Sequence, residues 1–189
     1  MWVILIVMNI QLGTLEILSA NDHSELLADV VTEALLKLHS SDTVGVAQIN
    51  PEFSDTAGFC EQYGVRMDQS ANCVVLRAKQ GDKSFFAVCL ILGSCRADIN
   101  GVVRKTLDAK KVSFAPMEQA VSESSMEFGA ITPIGIPLEW PLLIDKAVVD
   151  TEYVVIGSGV RVSKLVVPGS LLAALPHAMV IDGLGQVKK

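Results

Sequence analysis

The 189-residue sequence predicts an α+β fold, a mixed or closed β-sheet with helices packed around it. Three observations predict it. Short apolar runs of strand length outnumber segments of helical period, and the polar connections between them are mostly brief. Aromatic residues make up only 5% of a chain that is half apolar, so Val, Ile, Leu and Ala must fill the core, which suits a β-rich interior. No internal repeat, low-complexity tract or long linker interrupts the chain, so residues 1–189 read as a single domain.

The apolar opening Met1-Trp2-Val3-Ile4-Leu5-Ile6-Val7-Met8 has no basic n-region and is too short to span a bilayer. It is either a buried first strand or an over-extended start ahead of Met8. Asn21-Asp22-His23-Ser24 offers N-cap chemistry for a helix carrying Leu26, Leu27, Val30, Val31, Ala34, Leu35 and Leu38 at helical spacing. A strand over 43–49 follows. Pro51 then precedes a second helix through Phe53, Ala57, Phe59 and Cys60, with Gly64 at its C-cap. The polar stretch 79–83 joins apolar strands over 73–78 and 84–92 into the clearest hairpin of the chain. Asp98 caps a helix through Val103 and Leu107, a strand covers 112–114, and Pro116 opens a helical turn. Further strands are predicted over 142–144, 153–156, 160–167 and 179–181, with a short helix started by Pro168.

Charge is unevenly distributed. Residues 1–70 carry a net −8, residues 71–111 a net +5 and residues 112–189 a net −3. Arg77, Lys79, Arg104, Lys105, Lys110 and Lys111 belong to the basic block. Such a block either meets phosphates locally or is a solvated face. Cys60, Cys73, Cys89 and Cys95 form no CxxC pair and have no histidines at ligand spacing, which argues against a zinc site. Reduced thiols in the cytoplasm are the simplest account.

Phosphate-loop, dinucleotide-binding, HExxH and GxSxG motifs are absent. Gly157-Ser158-Gly159 reads as a turn, and no Ser/His/Asp or Cys/His order stands out. What remains is Gly129-Ala130-Ile131-Thr132-Pro133-Ile134-Gly135. Its glycines let backbone amides approach a ligand, and Pro133 fixes its own φ and biases Thr132 toward extended geometry. An amide array of this kind can hold a carboxyl ester or its developing oxyanion; equally, a Gly/Pro loop can be only a turn.

This loop, followed by Pro141-Leu142-Leu143-Ile144-Asp145, resembles the GxxxP loop and following strand of the YbaK and prolyl-tRNA-synthetase-associated editing-domain family. The resemblance takes in Asp68-Gln69-Ser70-Ala71-Asn72-Cys73-Val74-Val75, Asp98-Ile99-Asn100-Gly101-Val102-Val103 and Leu107-Asp108-Ala109-Lys110-Lys111-Val112, and covers about residues 65–182. It implies a mixed, largely antiparallel, barrel-like sheet surrounded by helices. The implied activity is hydrolysis of the ester in mischarged aminoacyl-tRNA without metal or cofactor, acting alone or beside an aminoacyl-tRNA synthetase. In such relatives the GxxxP loop positions the aminoacyl group through backbone amides, and backbone and substrate hydroxyls place the attacking water.

By that resemblance Gly129, Thr132 and Pro133 are the catalytic candidates. Asn72 joins them because it occupies the position where relatives carry a lysine that contacts the terminal nucleotide. Asparagine lacks the charge, so the chain either recruits another cation, takes a different substrate, or binds without hydrolysing. Ala130, Ile131, Gly135, Cys73, Ser158 and Lys164 are candidates for substrate binding, and the six basic residues named above for tRNA. No membrane association is implied, and the sequence leaves the oligomeric state open.

Overall fold

The computed structural model describes residues 10–188. The apolar opening, and with it the choice between Met1 and Met8, lies outside the described residues. Strand β1 (Leu18–Ser19) leads through two short turns of 3-10 helix into α1 (Asp29–Leu36), and β2 (Gly45–Gln48) and α2 (Thr56–Tyr63) follow. The hairpin is longer than its apolar runs alone suggest. Strands β3 (Ala71–Gln80) and β4 (Lys83–Leu92) pair without interruption from Ala71–Leu92 to Gln80–Lys83, leaving only Gly81-Asp82 as the turn.

After β5 (Cys95–Ala97), the Asp98 carboxylate accepts from the Gly101 and Val102 amides and caps a wide helical turn that runs into α3 (Arg104–Thr106). The chain continues through β6 (Lys111–Phe114), α4 (Met117–Ser124), β7 (Leu142–Asp145), α5 (Lys146–Val149), β8 (Tyr153–Gly157), β9 (Ser163–Pro168), α6 (Gly169–Leu172), β10 (Ala178–Ile181) and β11 (Gly185–Val187).

The α+β class and the mixed sheet are as the sequence predicts. The strands form three separate sheets and do not close into one barrel: a four-stranded sheet in order β1-β2-β9-β8, a five-stranded sheet in order β10-β7-β4-β3-β6, and the pair β11-β5. Only β10–β7 and β4–β7 run parallel within them. One parallel bridge, Ser70 to Val155, joins the two larger sheets at a corner.

Side-chain alternation assigns each face its own core. Ala71, Val75, Val88 and Leu90 face Leu165 and Val167 across the space between the large sheets, together with Leu142, Ile144 and Ile156. Leu76, Ala78, Ala87 and Cys89 point the other way, against Val103 and Leu107 around α3. On the far side of the four-stranded sheet, Val155 and Val166 pack on Phe59 of α2. Full burial of each Val, Leu, Ile or Phe among these contributes about 1.5–3 kcal/mol.

Among the described residues no helix is long and apolar enough to cross a membrane.

Candidate active site

A cleft of about 430 Å³ opens where β3, α4, the start of α2 and the loop at 128–131 meet β9. Asn72 and Cys73 supply its β3 wall, Gly129 and Ile131 its loop, and Lys164 its β9 side. Five residues singled out in the sequence therefore converge on one cavity.

The loop is fixed from behind. The Ala130 amide donates to Glu127 and its carbonyl accepts from Gly159, whose own carbonyl accepts from the Glu127 amide. The end of β8 lies so close that a Cβ on Gly157 would sit 2.3 Å from the Ala130 carbonyl oxygen. The turn at 157–159 is thus the backing plate of the loop. On the open side, Gly129 has φ +82°, and a Cβ there would meet nothing within 4 Å. Among the described residues, the Gly129 and Ile131 amides take no hydrogen-bond partner. Both residues line the cleft, where backbone N–H groups without protein partners are costly unless water or a ligand meets them.

Lys164 is 7% exposed. Its Nζ donates to the Ser54 carbonyl at 2.7 Å and lies 5.6 Å from the centroid of the Phe59 ring. Burial pulls its pKa down to about 8, only partly offset by Asp55 and Cys60, while Arg161 depresses it further. Asp55 caps α2 through the Ala57 and Gly58 amides, which fixes Ser54 and Thr56. The Thr56 hydroxyl in turn donates to Asn72 Oδ1. The uncharged Asn72 on β3 and the buried Lys164 on β9 therefore line the same cleft, each tied to the start of α2. Cys73 also lines it, but burial pushes its thiol far up, so it stays protonated and is a poor nucleophile.

The rest of the predicted set lies elsewhere. Thr132 is fully buried; its amide points at Met126 Sδ (3.4 Å) and its hydroxyl has no partner. Pro133 and Gly135 line a different groove, shared with Val30 and Ala34 of α1. Ser158 is buried in a hydroxyl network, donating to the Val160 and Ser163 carbonyls and accepting from Ser163 Oγ. On β3, Arg77 and Lys79 have the same parity as Cys73 and Val75 and pair with Ser113 and Lys111. Arg104 and Lys105 sit on α3, over the opposite face of that sheet. Lys110 stands at the entry to β6, its amide donating to the Lys79 carbonyl.

The family model described as the aminoacyl-tRNA editing domain matches residues 50–175, more than half of the chain and every wall of this cleft. The chain belongs to the aminoacyl-tRNA editing-domain family. Solved structures share the fold of this editing domain at low identity. One, described as a candidate trans-editing enzyme for prolyl-tRNA synthetase, is 19% identical with a TM-score of 0.71, over 84% of this chain and 96% of that one. Another, a hypothetical protein, is 16% identical with a TM-score of 0.72, over 84% and 100%. No curated protein matches the chain in sequence.

Sequence reasoning about the editing domain missed two parts of the cleft. The single helix predicted after Pro51 takes in Ser54, Asp55 and Thr56, whereas the chain breaks there, and Asp55 followed by Thr-Ala-Gly is the N-cap pattern that marks the break. The rim residues Phe114, Met117 and Phe128 carry no motif that a linear chain displays.

Proposed function

We propose that this editing domain is a freestanding, cytoplasmic aminoacyl-tRNA deacylase that hydrolyses the ester of mischarged tRNA in the cleft between β3, β9 and the loop at 128–131. The observation that carries the reading is the convergence of two unpartnered amides, Gly129 and Ile131, with one buried ammonium, Lys164, on a single cavity. Water attacks the aminoacyl carbonyl carbon. The carbonyl oxygen gains negative charge and is met by the amides and the ammonium. The bond to the ribose oxygen then breaks, that oxygen takes a proton, and free amino acid and tRNA leave. Donors already fixed in place favour this charge more than mobile solvent, which must reorient to meet it.

Thr132, Pro133 and Gly135 carry the loop on toward α1, and the turn at 157–159, which includes Ser158, holds it from behind through Ala130. Arg77, Lys79 and Lys111 meet tRNA phosphates on the cleft side.

The test is deacylation of a panel of mischarged tRNAs. Turnover is expected for at least one small or polar amino acid, and its loss is expected in Gly129→Val, with the fold checked by circular dichroism. No turnover above background across the panel overturns the enzymatic reading.

A second reading, a module that binds aminoacyl-tRNA or a synthetase without hydrolysis, is favoured by the uncharged Asn72 tied to Thr56. It predicts saturable binding of an aminoacyl-adenosine analogue without turnover, and deacylation appearing only in Asn72→Lys.

A further inference from the structure

Among the described Phe, Tyr and Trp residues, two are exposed, Phe114 at 67% and Phe128 at 58%. Both line the mouth of the one cleft described above, together with Met117, which is 53% exposed on the first turn of α4. Exposed large apolar groups are costly to keep in water, and their clustering at one opening marks a contact surface. Next to this rim the surface turns basic. Arg77 and Lys79 continue outward along β3 from Cys73 and Val75 on the same face, and Lys111 stands across from Lys79 on the edge strand β6. Arg77 also reaches α4, donating to Gln119 Oε1 at 2.9 Å, which places its guanidinium next to the helix that carries Met117. Aromatic faces at the mouth of a cleft, continued by a line of cations, match a nucleic-acid single strand, whose bases stack and whose phosphates need countercharge.

We propose that Phe114 and Phe128 form a base-stacking platform that holds the unpaired 3′-terminal bases of the tRNA, with Arg77, Lys79 and Lys111 following the phosphates away from the cleft. The identity of the nucleic acid rests on the deacylase reading; the platform itself rests on the rim. It gives the site a reason to prefer an ester carried by a nucleic acid over a free ester. It also divides the basic block in two, because Arg104 and Lys105 lie over the opposite sheet face and take no part.

The experiment uses the full chain and a fluorescein-labelled single-stranded RNA of six nucleotides with a free 3′-adenosine, read by anisotropy. Phe114→Ala and Phe128→Ala each weaken binding about five- to hundredfold, the range for losing one base–aromatic stack. Phe→Trp at either position restores it and Phe→Leu does not. Both rings are exposed, so thermal midpoints stay at the wild-type value and report that the variants fold. Lys79→Gln and Lys111→Gln each lower the salt slope of log affinity by about 0.7, whereas Arg104→Gln leaves it unchanged.

Wild-type affinity in the alanine variants, full retention in the leucine variants, or no RNA binding by the wild-type chain overturns the platform. Deacylation of charged tRNA is measured on the same samples, so the two readings fail separately. Turnover that ignores both phenylalanines removes the platform alone, and ring-dependent RNA binding without turnover removes the deacylase alone.

Discussion

Lys164 works against the stability of the fold it sits in. Its ammonium is held among Phe59, the Ser54 carbonyl and the backbone of β9, with no carboxylate in salt-bridge contact among the described residues. The unfolded chain holds this proton with the ordinary lysine affinity, while the folded chain releases it near pH 8. Between about pH 8 and the ordinary lysine value the unfolded state therefore binds more protons, and the stability contributed by this group rises with pH through that window. Lys164→Met should raise stability at pH 7 by about 1–3 kcal/mol, abolish the rise above pH 8, and lose at least tenfold in deacylation. Denaturant midpoints and single-turnover rates check these together. In the native chain, deacylation that depends on the ammonium should hold below pH 8 and decline above it. A fully active Lys164→Met would remove the lysine from the chemistry, and a destabilised one would show that its bond to the Ser54 carbonyl outweighs the cost of its burial.

Thr132 poses the complementary case. Its hydroxyl is buried without a partner, so Thr132→Val should stabilise the protein by about 1 kcal/mol and leave turnover within a few-fold of native. A tenfold loss of turnover would return that hydroxyl to the reaction.

At the scale of elements, the loop at 129–131 owes its placement to the turn at 157–159. Gly157→Ala puts a methyl 2.3 Å from the Ala130 carbonyl oxygen, so the loop or the end of β8 must shift. The expected result is a stability loss of about 1–3 kcal/mol and a ten- to hundredfold fall in kcat, since catalysis by positioning tolerates displacements well under 1 Å. Native turnover in a folded Gly157→Ala would show that the loop need not be held there.

This coupling was invisible in the sequence, where Gly157-Ser158-Gly159 is a plausible turn and nothing more. The hairpin was legible because its two apolar runs and its Gly-Asp turn are local. The capping of the turn after β5 by Asp98 was legible for the same reason. The region before α1 was not. Asn21 and Ser24 offer cap chemistry, yet the chain makes two 3-10 turns there and starts the helix only at Asp29, after an extended Ala28. Strands β1 and β11 are two and three residues long and exist only through distant partners, so no local pattern announced them.

On the scale of the whole molecule, the sequence already separated a basic block from acidic flanks. Only the fold distributes that block over two faces of one sheet, because β-strand alternation sends Arg77 and Lys79 to the cleft side while α3 carries Arg104 and Lys105 behind it. The candidate cation of the cleft, Lys164, stands among the substrate-binding candidates of the sequence, but only the fold brings it to the same cleft as Asn72. Reading along β3 leads to Asn72 and an apparent missing charge, whereas Lys164 arrives from β9 and bonds a carbonyl 110 residues away in sequence. What a chain says about chemistry is clearest where one segment holds the whole motif, and faintest where two sheets must meet to complete it.

Among the described residues the two large sheets share one backbone bridge, Ser70 to Val155, and otherwise meet through packed side chains, yet the cleft takes one wall from each. Whatever fills it therefore acts as a clasp. A non-hydrolysable aminoacyl-adenosine analogue at a hundred times its Kd should add about 2.7 kcal/mol to global stability. Amide exchange should slow in β9 as well as in β3, and protection confined to β3 would show that the sheets move independently. Occupancy would then be legible at a distance: a substrate a few ångströms across would set how far the two halves of the core breathe apart.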